Sequence, residues 1–276
     1  VMISVLTYYL IMVIRVWLMD IPEAMAQICR DLQQILPNLT VQQSLELREN
    51  IEHALANVSA SHLLLPEQKF ITLLISDLRG FTALTEQHSS LQVVDLLNRY
   101  LARMCQIIVR HGGKIDKFMG DSIMALFGLH VRQPDDAARA LACAVEMQLA
   151  MDALNAENRY RDLHELFMGI GINTGTVVAA HLGSPLHREY TVIGDAVNIT
   201  SRIEAQSLRG QILLSDATYK IVQDHVDVGK PNLVQLKGKQ VPVCMYELLA
   251  TRIPRELVVP RRTLRKSPRV MVEIPF

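Results

Sequence analysis

The 276-residue sequence has no excess of charge of either sign: 28 lysines and arginines stand against 28 aspartates and glutamates. A chain that grips nucleic acid usually carries a basic surplus, so this balance gives no support to a nucleic-acid partner. Cysteine is scarce as well. Cys29, Cys105, Cys143 and Cys244 have no C-x-x-C or metal-ligand spacing, and each sits in an apolar run. That excludes a disulfide framework and reads as buried free thiols of a reducing compartment. There is no internal repeat and no low-complexity tract, which excludes solenoid architectures. The apolar stretch from Val1 to Met19 lacks a basic leading region and an A-x-A cleavage site, so a cleaved signal peptide is disfavoured.

What is present is length enough to bury a sizeable core, as one main domain with appendages. Residues 1–19 are apolar apart from Arg15 and a few small polar residues, a run just long enough for a bilayer, where about 20 residues suffice. They are expected to form a transmembrane helix that anchors the chain to the cell membrane, with the remainder of the chain in the cytoplasm. Residues 20–66 read as a helical connector, with Ile28, Leu32, Ile35 and Leu36 on one face and Leu45, Leu47, Ile51 and Leu55 on the next run. Either a solvated spacer or a dimerising helix fits.

Beyond Pro66 the pattern changes. Phe70 to Ile75 is a continuous apolar run, read as a buried strand. Leu91 to Val109 is an amphipathic helix, and Lys114–Lys117 with Ser122–Phe127 reads as a hairpin turning at Met119-Gly-Asp121. Ala137 to Leu154 is an alanine-rich helix. Phe167–Asn173 and Thr176–His181 are expected to form a second hairpin around Gly175. A β-α-β-β-α-β order emerges, so the predicted fold is α+β: a ferredoxin-like core with extra C-terminal strands and helices, preceded by N-terminal helices. Short strands at Gln211–Leu214, Leu233–Leu236 and Val243–Leu249 complete it. The tail from Arg252 is basic and reads as disordered.

Two aspartates, Asp77 and Asp121, each end an apolar strand-like run at a glycine-containing turn. In this topology their strands are neighbours, and two close carboxylates repel unless a cation lies between them. Magnesium suits such a site, because it accepts few carboxylates and completes its shell with phosphate oxygens. Glycine at 80 and 120 lets backbone approach an anion. Asn198 and Arg202, four apart, project from one helical face. The bland alternatives are a solvated Lys117 and a surface Arg202 paired with Glu204 or Glu189.

Taken together, Phe70-Ile-Thr-Leu-Leu-Ile-Ser-Asp-Leu-Arg-Gly-Phe-Thr82, Asp116-Lys-Phe-Met-Gly-Asp121, Gly169-Ile-Gly-Ile-Asn-Thr-Gly175 and Tyr190-Thr-Val-Ile-Gly-Asp-Ala-Val-Asn-Ile-Thr-Ser-Arg202 resemble the class III nucleotidyl cyclase catalytic domain, over residues 67–250. The resemblance implies an adenylate cyclase that makes cyclic AMP and pyrophosphate from ATP with two Mg2+ or Mn2+ per active site, in a head-to-tail homodimer. It implies metal binding by Asp77, Asp121 and the Leu78 carbonyl, and purine selection by Lys117 and Thr191. Asn198 is expected to orient the ribose, Arg202 to stabilise the transition state and Lys237 to hold the terminal phosphates. Gly80, Phe81 and Thr82 belong to the substrate-binding turn. Guanylyl cyclases of this family carry glutamate at the Lys117 position, so lysine favours ATP. Guanylyl cyclase activity and a non-catalytic nucleotide-binding regulator are the rival readings. In residues 251–276, Arg265-Lys-Ser-Pro-Arg269 resembles the opening of a PilZ domain, which implies cyclic di-GMP.

Overall fold

Six consecutive residues buried on both faces mark the central strand. From Ile71 to Ser76 side chains pointing either way are covered, which is why the run lacks polar alternation. In the computed structural model, residues 65–87, 89–161, 163–184, 187–235 and 242–260 are described. The expected membrane helix, the connector up to residue 64 with Cys29, Lys237 and the Arg265–Arg269 motif lie outside them. In chain order the elements are β1 (Glu67–Leu78), α1 (Phe81–Gln87), α2 (Ser90–Arg110), β2 (Lys114–Met119), β3 (Ser122–Phe127), α3 (Asp136–Tyr160), β4 (Met168–Ser184), β5 (His187–Ile193), α4 (Asp195–Gln206), β6 (Ile212–Ser215), α5 (Asp216–Val222), β7 (Val226–Val228), β8 (Asn232–Val234), β9 (Val243–Thr251) and β10 (Leu257–Val258).

The strand order β4-β1-β3-β2, antiparallel throughout, is that of a ferredoxin-like core. The sheet continues beyond β4 through β6, β9 and β10, with β6 parallel to β4. One face packs Leu74 and Leu78 against α2 and α3. On the other, Ile71, Leu73 and Ile75 meet Met124, Leu126, Val177, Val192 and Ala196. Helix α2 begins with a capping box between Ser89 and Gln92 and buries Leu96, Tyr100, Met104, Ile107 and Ile108 as one stripe. Helix α3 is buried nearly all round from Ala137 to Met147, its alanines allowing close approach on several sides. Asn155 ties it to the start of β4, donating to the Leu166 carbonyl and accepting from the Leu166 N–H, both at 2.8 Å.

Three expectations are corrected. The hairpin around Gly175 does not exist: β4 runs unbroken through it, with Gly175 opposite Ile71 on β1, and the reversal comes after Ser184. The Asn-Thr-Gly sequence looked like a turn but serves helix packing. Odd-numbered positions of β4 share one face, and α4 lies on it. A Cβ on Gly171 would come within 2.4 Å of the Glu204 backbone nitrogen, and one on Gly175 within 3.0 Å of the Ala196 Cβ. Eight helical residues rise about 12 Å and four strand residues about 13 Å, so α4 keeps pace along β4, antiparallel to it. Second, the tail is structured at its start. Strand β10 pairs with β9, and Arg252 and Arg255 form ion pairs with Asp227 and Glu146. Third, Cys143 is buried, but Cys105 and Cys244 are only half-buried, all three as free thiols.

Gly171→Ala is expected to push α4 off the sheet at a cost of about 1–3 kcal/mol, the usual range for overpacking. A lower urea midpoint with an unchanged slope confirms it; an unchanged midpoint contradicts the glycine track.

Candidate active site

The site begins with strand register. Ser76 on β1 pairs with Ile123 on β3, so the next residue outward, Asp77, meets Ser122, and the β2–β3 turn brings Asp121 back beside them. Gly120 makes that turn at φ +67°, a conformation glycine adopts freely. The Ser122 hydroxyl donates to Asp77 Oδ1. The Leu78 backbone N–H donates to Asp121 Oδ2 at 3.2 Å. Burial, then the neighbouring Asp77 charge, push the Asp121 carboxyl above the usual carboxylate range.

Two crowded carboxylates with hard oxygen donors fit a divalent cation. Among the described residues no cluster of three or more histidine, cysteine, aspartate or glutamate side chains could hold a metal. A pair of carboxylates alone would suit magnesium, an ion that keeps waters and substrate phosphates in its shell.

Arg79 is a residue of the site to which the sequence reading gave no role. Its Nη1 donates to Asp77 Oδ2 at 3.0 Å, while Nη2 reaches the Glu204 backbone carbonyl at 2.6 Å, Ser207 Oγ at 2.7 Å and the Glu204 carboxylate. The guanidinium thus ties the end of β1 to the last turn of α4. Glu204 is 7% exposed. Burial pushes its carboxyl up to about 7, the pull of Arg79 being insufficient and the charges of Asp77 and Asp121 adding to the rise. The signal in the sequence was an arginine two residues after Asp77, but its partner is 125 positions away.

Lys117 and Thr191 come together around a third side chain. Strand β2 has a bulge between Ile115 and Lys117, and bulges re-aim side chains. There Asp116 accepts from Thr191 Oγ1 at 2.6 Å and lies 3.7 Å from Lys117 Nζ. Lys117 also donates to Glu189 Oε2 at 2.9 Å, a bond that raises its pKa. Beside them Lys114 sits over the Tyr190 ring at 4.9 Å. Three residues of β2 thereby hold three consecutive residues of β5. Lys117 is half-exposed but ion-paired, where the bland reading had it free in solvent.

Asn198 is exposed and Arg202 half-exposed, one turn apart on α4. Arg202 pairs with neither Glu204 nor Glu189, which are held by Arg79 and Lys117. Gly80, at φ +83°, starts the turn into α1, where Phe81 packs on the core and Thr82 is exposed. Among the described residues no hydrogen bond or ion pair joins Lys117, Thr191, Asn198 or Arg202 to Asp77 or Asp121. The predicted residues form three groups: the carboxylate pair, the Lys117–Thr191 pair and the α4 pair.

Residues 65–250 match the family model described as the adenylate and guanylate cyclase catalytic domain. The adenylate cyclase of Anabaena cylindrica is 36% identical over 191 residues, covering 65% of this chain and 37% of that protein. The terminal-differentiation-specific adenylate cyclase of Dictyostelium discoideum is 34% identical over 187 residues, 66% of this chain and 9% of its own length. The chain thus spans well under half of these relatives. Among solved structures, the guanylyl cyclase Cya2 is 44% identical with a TM-score of 0.69, over 71% of this chain and 99% of that one. The adenylyl cyclase CyaB of P. aeruginosa is 35% identical with a TM-score of 0.66, over 69% and 98%.

Glu204→Gln tests the network behind Asp77. The folded value of about 7 lies above the ordinary 4.5, so the stability linked to this group is full below 4.5 and is lost as pH rises through 7. Glutamine cannot ionise. In metal-free buffer the melting temperature of Glu204→Gln minus that of wild type should therefore widen in favour of the variant from pH 5 to pH 8. A constant or shrinking difference contradicts this.

Proposed function

The chain belongs to the adenylate and guanylate cyclase catalytic-domain family, and from that membership we propose that it is an adenylate cyclase working as a head-to-tail homodimer with shared active sites. The observation that carries the reading is the separation of the three groups. Asp77 and Asp121 sit together in one place, while Asn198 and Arg202 face solvent with no partner among the described residues. Side chains left unpaired on one surface are what a site completed by a second subunit needs.

In the proposed reaction the ribose 3′-oxygen attacks the α-phosphorus of ATP, the bond from that phosphorus to the β-phosphate bridging oxygen breaks, and pyrophosphate leaves. The 3′-hydroxyl proton passes to solvent. Asp77 and Asp121, with the Leu78 carbonyl, would hold two Mg2+ or Mn2+ ions. Those ions, when bound, acidify the 3′-hydroxyl and neutralise the triphosphate. The turn at Gly80, Phe81 and Thr82 lies beside the carboxylates and takes the phosphates. From the partner copy, Asn198 orients the ribose and Arg202 meets the charge that grows on the α-phosphate, a task its forked guanidinium suits. Lys237 is assigned to the terminal phosphates.

Lys117 presents donors to the base, matching the N1 acceptor of adenine, whereas guanine carries a proton there. The guanylyl reading has one specific support, the 44% identity to Cya2. A lysine fixed by Glu189 and Asp116 weighs against it. Residues 1–19 are proposed to anchor the protein in a membrane; among the described residues no helix is long and apolar enough to cross one.

Asp77→Ala and Arg202→Ala should each abolish cyclic AMP formation. Mixed in equal amounts, they should regain activity, because about half the dimers are then mixed with one complete site each, giving about a quarter of wild-type turnover. No recovery after confirmed subunit exchange contradicts the shared site.

A further inference from the structure

Resting on the adenylyl reading, we propose that Asp116 is a specificity-determining residue: its carboxylate fixes the direction of the Thr191 hydroxyl so that the base pocket takes a 6-amino purine and refuses a 6-oxo purine.

A threonine hydroxyl has one proton and can otherwise only accept. Exposed to water it would turn between the two roles, and Thr191 alone would discriminate weakly. Here it is 3% exposed and donates at 2.6 Å to Asp116 Oδ2. An ionised carboxylate accepts and never donates, so the Thr191 proton is committed. What Thr191 can still offer is lone pairs. Lys117, 3.7 Å from the same Asp116 oxygen, offers only N–H groups. The pair therefore presents a donor beside an acceptor, the complement of the N1 acceptor and 6-amino donor of adenine. Guanine and hypoxanthine present the reverse, an N1–H and a 6-oxo acceptor, and meet a mismatch at both places.

Asp116 is costly to place there if it only fastens β5 to β2. Its side chain is wholly buried at a strand bulge, and its second oxygen, Oδ1, has no hydrogen-bond partner among the described residues. Burying half-satisfied charge is unfavourable. A neutral asparagine, which has the same shape, could hold Thr191 as well. Only the carboxylate enforces the direction of the bond.

The test compares kcat/KM for ATP and ITP, which differ at the N1 and C6 edge alone. Wild type should favour ATP strongly. Asp116→Asn can donate to Thr191 and release its proton toward a 6-oxo group, so the ATP:ITP ratio should fall about tenfold or more, the scale of one unmet buried hydrogen bond. Asp116→Ser, a smaller neutral replacement, should do the same and carries the test if the asparagine variant does not fold. In a Thr191→Val background, Asp116→Asn should change the ratio no further. If both nucleotides lose activity equally and the ratio holds, Asp116 merely fastens the β5 arm and the inference is overturned while the adenylyl reading stands. A wild-type preference for ITP or GTP over ATP overturns the adenylyl reading and this inference with it.

Discussion

Two like-charged carboxylates held side by side are the constraint on which the rest of this molecule depends. The register of β1 against β3 and the turn at Gly120 bring Asp77 and Asp121 together, and burial, with that proximity adding to it, raises the Asp121 pKa. The protein surrounds the pair with donors: the Ser122 hydroxyl, the Leu78 N–H and the Arg79 guanidinium. These soften the repulsion without removing it. A divalent cation is the ligand that would relieve it, which is the role the proposed reaction gives the metal.

Arg79 extends that constraint into the helix that carries Asn198 and Arg202. By holding Asp77 with one nitrogen and the end of α4 with another, it couples the carboxylate pair to the element proposed to serve the second site. The glycine positions of β4 make the coupling possible, since added side chains at Gly169 and Gly171 would meet Arg79 and the α4 backbone. A change on either side of this joint should be felt at both ends of the shared site.

Much of this was legible in the sequence, for identifiable reasons. The apolar run of β1, the stripe of α2 and the Gly120 turn are local patterns, and together they give the ferredoxin-like order of elements. The carboxylate pair followed from topology. What was not legible was long-range partnership: Arg79 with Glu204, and Asp116 with Thr191, 75 positions apart. Nor could the sequence say that the Asn-Thr-Gly of β4 makes room for a helix, because a glycine needed for close approach looks the same as one needed for a turn.

The most direct measurement is the number of Mn2+ ions held with a non-cyclisable 3′-deoxy analogue of ATP, counted by electron paramagnetic resonance. Wild-type protein should hold a second Mn2+ beyond the one that travels with the nucleotide, and Asp121→Asn should not. Equal manganese occupancy in the two proteins would contradict the claim that these carboxylates hold the metal.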